Sequence, residues 1–101
     1  MRGHAASKPT VDQLLATREQ LNRVSAAFLK TDLKTGITFA RIARVADDDI
    51  RKNRNCRAAR KAYDTVLRMI GRIDMNASEE RVIREELMRL RELLLALEEA
   101  V

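Results

Sequence analysis

The densest concentration of charge in this sequence is a basic segment, and phosphate recognition is the chemistry that it could support. Residues 51–61 contain six Lys or Arg side chains and no acidic residue. On a helix at about 100° per residue, five basic side chains fall within about 60° of one another: Arg54, Arg57, Lys61, Arg68 and Arg72. Such a ridge can follow a phosphate backbone. No aromatic or glycine-rich element accompanies it to stack or read bases, so we favour an ordinary solvent-exposed helix face and keep nucleic-acid or polyanion binding as the alternative.

The residues that could act as nucleophile or base do not form a set. Cys56 lies among arginines, which would lower the pKa of a thiol, but it also lies on an apolar helical stripe, where a buried and inert cysteine is favoured. His4 is the single histidine and belongs to the N-terminal segment. Tyr63 is interpreted as a packing residue with its hydroxyl at the rim of the core. The parts of a Cys–His pair and of a histidine-based metal site are therefore missing.

The carboxylates of the last quarter of the chain alternate with arginines at helical spacing. This pattern is typical of surface ion pairs at i, i+3 or i+4, and no Glu-x-x-His motif of a di-iron bundle accompanies it. The sequence predicts no catalytic residue, no metal site and no cofactor, and we expect a protein that is not an enzyme.

The composition predicts an all-α protein. Of 101 residues, 46% are hydrophobic but only 3% are aromatic, so the core must be aliphatic, as helix packing tolerates well. Gly 3 and Pro 1 are too few for the many tight turns of an all-β chain. A single cysteine excludes an internal disulfide. Without an apolar signal-like start or a membrane-spanning run, we expect a basic cytoplasmic protein, of net charge +5, that does not bind membranes.

Caps and apolar spacing then place the elements that would position these side chains. Residues 1–9 are predicted to be a disordered tail, and residues 10–101 a single helical-bundle domain. Thr10 is a plausible N-cap for a first helix that ends near Lys30. Its inward stripe is predicted at spacings of 3 and 4: Leu14, Thr17, Leu21, Val24 and Phe28. The cap-rich segment 31–36 predicts a break, followed by a short second helix over about 33–46 that buries its alanines.

Two further helices follow. The acids at 47–49 predict a turn and the start of a third helix, and a turn at 53–55 is the alternative. Its stripe is spaced 3, 4, 3, 4, 3 and consists of Cys56, Ala59, Tyr63, Val66, Ile70 and Ile73. After a turn at 74–78, with Asn76 or Ser78 as the cap, the fourth helix carries the clearest a/d seam of the chain: Ile83, Leu87, Leu90, Leu94, Leu97 and Val101. The predicted fold is a small antiparallel bundle of three long helices plus one short helix.

Two apolar residues of the fourth helix lie outside its predicted core face. Met88 and Leu95 are seven residues apart and point roughly 120–140° away from the seam. A helix that is apolar over so much of its circumference commonly meets a further neighbour. We therefore predict a non-enzymatic interaction module that uses Met88 and Leu95 to form a homodimer or to bind a helical protein partner.

Overall fold

The described part of the chain folds into three long helices and one short helix. A computed structural model describes residues 8–99 and, within them, every side chain except that of Val24. Helix α1 comprises Val11–Val45, α2 Asp49–Met69 and α3 Ala77–Ala96, and a 3-10 turn, Ile70–Arg72, follows α2. The predicted all-α bundle is confirmed. Residues 1–7 of the predicted tail and Val101 of the predicted seam lie outside the described residues.

The predicted break at 31–36 is wrong, because α1 continues through it as one helix of 35 residues. The short helix of the fold is instead the 3-10 turn. Cap-forming Thr and Asp side chains are compatible with a helix interior when packing stabilises the helix. Leu29, Leu33 and Ile37 continue one buried face straight through the segment, at 0, 0 and 5% exposure. Tertiary burial therefore outweighs the local preference for a break.

The other boundaries are confirmed by their caps. Asp48 accepts a hydrogen bond from the Arg51 N–H at 2.7 Å, so α2 begins at the acidic run and the alternative turn at 53–55 lies inside a helix. Asn76, rather than Ser78, caps α3 and accepts from the Glu79 N–H at 2.7 Å. Both caps satisfy a backbone donor that the first helical turn leaves free.

The core is aliphatic and lies where the three helices meet. The apolar faces predicted for the third and fourth helices are confirmed on α2 and α3. Ile73 and Leu97 lie at the half-buried ends of these faces. Gly36 marks the tightest approach, since an added Cβ would lie 2.8 Å from the Ala62 Cβ and 2.9 Å from a Leu90 methyl. The buried residues of α1 are Ala26, Leu29, Leu33, Gly36, Ile37, Ala40 and Ala43.

The predicted inward stripe of the first helix is wrong. Leu14, Leu21 and Phe28 are 54, 62 and 52% exposed, and Thr17 is also exposed. The reason is length: at 1.5 Å per residue α1 spans about 52 Å, whereas α2 and α3 span about 30 Å each. The shorter helices do not cover all of α1. Among the described side chains, none before Ala26 is buried.

Candidate docking surface on the first helix

The first part of α1, residues 11–25, is called here the projecting half, since the core begins at Ala26. Its start is fixed locally by a capping box: the Gln13 N–H donates to the Thr10 hydroxyl at 3.1 Å, and the Thr10 N–H donates to Gln13 Oε1 at 2.8 Å. The radius of gyration is 18.5 Å, against about 13 Å for a compact domain of 100 residues. The molecule is elongated along this helix.

An apolar line runs along the projecting half and continues to Phe28, just beyond it. We define the α1 stripe as Leu14, Thr17, Leu21 and Phe28, which share one face at spacings of 3, 4 and 7. Val11 and Leu15, at 70 and 51% exposure, add apolar surface next to it. Within the described residues, the α1 stripe places three half-exposed large apolar side chains on one line. A helix face that is only solvated is mainly polar.

The flanks of the α1 stripe carry little charge. Gln13, Gln20 and Ala27 border one side, and all three are exposed. On the other side, an Arg18 guanidinium nitrogen lies 2.8 Å from a carboxylate oxygen of Asp74, in the turn before α3. Both side chains are about 70% exposed, so this ion pair adds little stability. Its effect is to hold the Arg18 charge toward the turn and away from the α1 stripe.

A groove between α1 and α2 continues the α1 stripe toward the core. Phe28 lines the groove together with Asp32, which is half-buried. Partial burial raises the pKa of Asp32, and the nearby Lys61 ammonium opposes this effect. The lining residues are Phe28, Asp32, Thr35, Phe39, Ala58, Lys61, Ala62 and Thr65. The groove and the α1 stripe form one continuous surface because Phe28 belongs to both.

The predicted basic ridge is exposed but interrupted. Arg54, Arg57, Lys61, Arg68 and Arg72 are all exposed. Three of them, Arg57, Lys61 and Arg68, share a shallow depression with Arg60 and Asp64. The Asp64 carboxylate lies 3.2 Å from Arg60 Nε and places a negative charge within the ridge. Arg72 lies in the 3-10 turn, beyond the end of α2.

The α3 residues predicted to bind a partner are half-exposed. Met88 and Leu95 are 52 and 45% exposed, and they point away from the buried face of α3. Charged side chains surround them on the helix surface, including Arg84, which pairs with Glu80 at 3.5 Å. They form a small apolar patch of two side chains.

The single thiol is buried, as predicted. Cys56 is 7% exposed in the core face of α2. Burial raises its pKa, Glu99 raises it further, and Lys52 opposes them. A thiol with a raised pKa is a poor nucleophile at neutral pH.

No group of three or more His, Cys, Asp or Glu side chains gathers within residues 8–99 in a way that could hold a metal ion. No helix in this part of the chain is both long and apolar enough to cross a membrane.

The sequence predicted Met88 and Leu95 as surface apolar residues but missed the α1 stripe. Its residues were assigned to the core because their spacing matches a buried face. The relative lengths of the helices would have revealed the excess, had α1 been predicted as one helix. Comparison of the chain with protein-family models, with curated proteins and with solved structures found no match.

Proposed function

We propose that this chain is a cytoplasmic, non-enzymatic interaction module that docks a partner helix along the α1 stripe. The observation that carries the proposal is the α1 stripe, whose large apolar side chains stand at helical spacing and are more than half exposed. A second amphipathic helix is the element that such a line accommodates, with anchors at i, i+3 and i+7.

Energetics support this surface. Fully burying a Leu or Phe side chain contributes about 1.5–3 kcal/mol, so completing the burial of a half-exposed one contributes about 1 kcal/mol. Leu14, Leu21 and Phe28 supply three such contributions on one line. The side chains Met88 and Leu95 of α3 supply two, among charged neighbours that a partner would have to desolvate. The α1 stripe is therefore the stronger candidate, and the α3 patch a smaller second surface.

The test is to capture partner proteins with a tagged chain, from a lysate of native cells that also express the untagged chain. We expect Leu21→Glu to abolish capture of the partner, since it places a charge in the centre of the α1 stripe. Leu67→Glu is the matched control, because Leu67 is 51% exposed on α2 and outside the α1 stripe. If nothing captured by the wild-type chain depends on Leu21, the proposal is overturned.

A second candidate function is polyanion binding through the exposed cations of α2. Its support is the cluster of Arg57, Lys61 and Arg68 around one depression, and its weakness is the Asp64 carboxylate beside them. We expect any binding to DNA or RNA to appear at low salt and to weaken steeply as salt rises. A variant with Arg54, Arg57 and Lys61 changed to Glu should not bind, and equal binding by this variant would rule the function out.

A further inference from the structure

We propose that the partner on the α1 stripe is the α1 stripe of a second copy of this chain, with the two α1 helices antiparallel. This inference rests on the docking function proposed above and names the occupant of the same surface. Five observations support it: the position of the bundle along α1, the pattern of large and small residues, the neutral flanks, the groove beside Phe28 and the length of helix available.

The position of the bundle favours the antiparallel direction. Helix α2 packs beside the C-terminal continuation of the α1 stripe, where Phe28, Asp32 and Thr35 meet residues of α2 in the groove. A parallel partner would bring its own α2 to the same level, so that two bundles would compete for one space. An antiparallel partner places the bundles at opposite ends of the paired helices.

The residues of the α1 stripe are complementary in this direction. Antiparallel helices pair an a position of one with a d position of the other. The register that places Thr17 opposite Phe28 of the second copy also places Phe28 opposite Thr17, so a small side chain faces each ring. The two Leu21 side chains then lie within about 5 Å of each other along the axis, next to the two-fold axis.

Charge favours a copy of the same chain on this face. The chain carries a net charge of +5, and the nearly neutral flanks of the α1 stripe keep that charge out of the contact. In this register Gln20 comes within about 3 Å, along the axis, of the level of Ala27 of the second copy, and Arg18 comes equally close to the level of Ser25. No like charges meet across either flank, and the costly juxtaposition of equal charges is avoided.

The groove beside Phe28 extends the contact. Residue 11 of the second copy falls opposite residue 34 in the same register. Val11 is 70% exposed, and it would reach the groove entrance with the first turn of its helix. The positive end of that helix would then approach the Asp32 carboxyl, which is the favourable sense of the helix dipole.

The area of the contact is that of a small, transient interface. Residues 10–35 of two copies overlap over about 39 Å, and a helix is about 10 Å wide, so the contact strip is roughly 400 Å² on each copy. The grooves at both ends add to it. Specific interfaces bury about 1,200–2,000 Å² in total, and transient ones less. We therefore expect a weak, reversible dimer that is monomeric at low micromolar concentration.

Sedimentation equilibrium of the purified full-length chain over about 5–500 µM tests the dimer. We expect a monomer–dimer equilibrium in the wild type. Leu21→Glu should weaken association by at least about tenfold and shift the equilibrium toward monomer, whereas Leu67→Glu should leave it unchanged. A dimer that survives Leu21→Glu and is lost in Leu95→Glu would overturn the proposal, because it would assign the interface to α3.

Cross-linking tests the direction. In a Cys56→Ala background, Gln20→Cys and Ala27→Cys chains are mixed and joined by a short bismaleimide. The antiparallel register predicts more product between the two variants than within either one. A parallel pair would give the reverse, with equal residues at one level, and would overturn the inference.

The failure of this inference is distinguishable from failure of the docking function. A chain that stays monomeric to about 500 µM, but captures a different protein through Leu21, overturns the second copy and leaves the docking function standing. A monomer without any Leu21-dependent capture overturns both.

Discussion

The two halves of α1 carry apolar residues at the same helical spacing and have opposite surroundings. From Ala26 to Ala43 the regularly spaced residues are closed in by α2 and α3, whereas from Leu14 to Leu21 they face outward. The buried face and the α1 stripe lie on different sides of one continuous helix. Spacing defines a face, but the length and position of neighbouring helices decide which face becomes core.

The strongest test of this difference is one substitution made in both halves. Leu33→Ala should lower the free energy of unfolding by about 2–5 kcal/mol, because it leaves a cavity at a fully buried site. Leu21→Ala should lower it by no more than about 0.5–1 kcal/mol, since its side chain is largely solvated. Urea denaturation at low micromolar protein, below the expected dimer range, measures both. Equal losses would show that the projecting half is covered in the monomer.

A glycine substitution tests how closely the other helices approach the C-terminal half. Gly36→Ala should destabilise the fold by about 1–3 kcal/mol, because the new methyl group meets Ala62 and Leu90 at under 3 Å. This outweighs the gain of up to about 1 kcal/mol in helix propensity.

Gly71→Ala is the matched control, since no atom lies within 4 Å of an added Cβ there. We expect its thermal midpoint to equal or slightly exceed that of the wild type. If Gly36→Ala stabilised the chain, α2 and α3 would have to move away from this contact at little energetic cost.

Hydrogen exchange sharpens the comparison within one helix. Amides at 14–24 should exchange with a lower opening free energy than amides at 29–43, because few buried contacts hold the projecting half. Thr10→Ala should lower protection in the first turns, by up to about 1 kcal/mol, and leave 29–43 unchanged. Mass spectrometry of peptic fragments from dilute protein measures this amide exchange. Uniform protection along α1 would contradict the division into halves.

The smallest expected effect concerns the ion pair that links the projecting half to the turn before α3. Arg18→Ala should change the free energy of unfolding by less than about 0.5 kcal/mol, as for other exposed pairs. Asp74→Ala should match it, and the double variant should show a coupling of a few tenths of a kcal/mol. A coupling well above about 1 kcal/mol would indicate that Arg18 and Asp74 are less solvated than their exposure suggests.

Structural features that are set within one helix were predictable from the sequence, whereas features that depend on the arrangement of the helices were not. The caps Asp48 and Asn76 act within one turn of their own helices, so the sequence places the first at the acidic run and narrows the second to Asn76 or Ser78. The α3 seam at Ile83–Leu94 has a single strong face. The segment 31–36 contains cap-forming residues, and only the packing of Leu33 and Gly36 keeps it helical.

The candidate site follows the same division. Exposure of Met88 and Leu95 was predictable because α3 has a stronger opposite face that must be the core. The α1 stripe was not, because Leu14 and Leu21 have the spacing of a core face and only the shorter lengths of α2 and α3 leave them uncovered. Whether either surface binds a partner stays a prediction.

The continuity of α1 also makes it a lever. Gly36, where α1 touches both other helices, lies 25 residues from Val11, a distance of about 38 Å along an unbroken helix. A tilt of about 10° at Gly36 would carry the far end sideways by roughly 7 Å. A flexible joint at 31–36 would have absorbed such a motion, whereas a stiff rod transmits it in both directions. Any helix that seats on the distal end is thereby mechanically connected to the contact of Gly36 with Ala62 and Leu90.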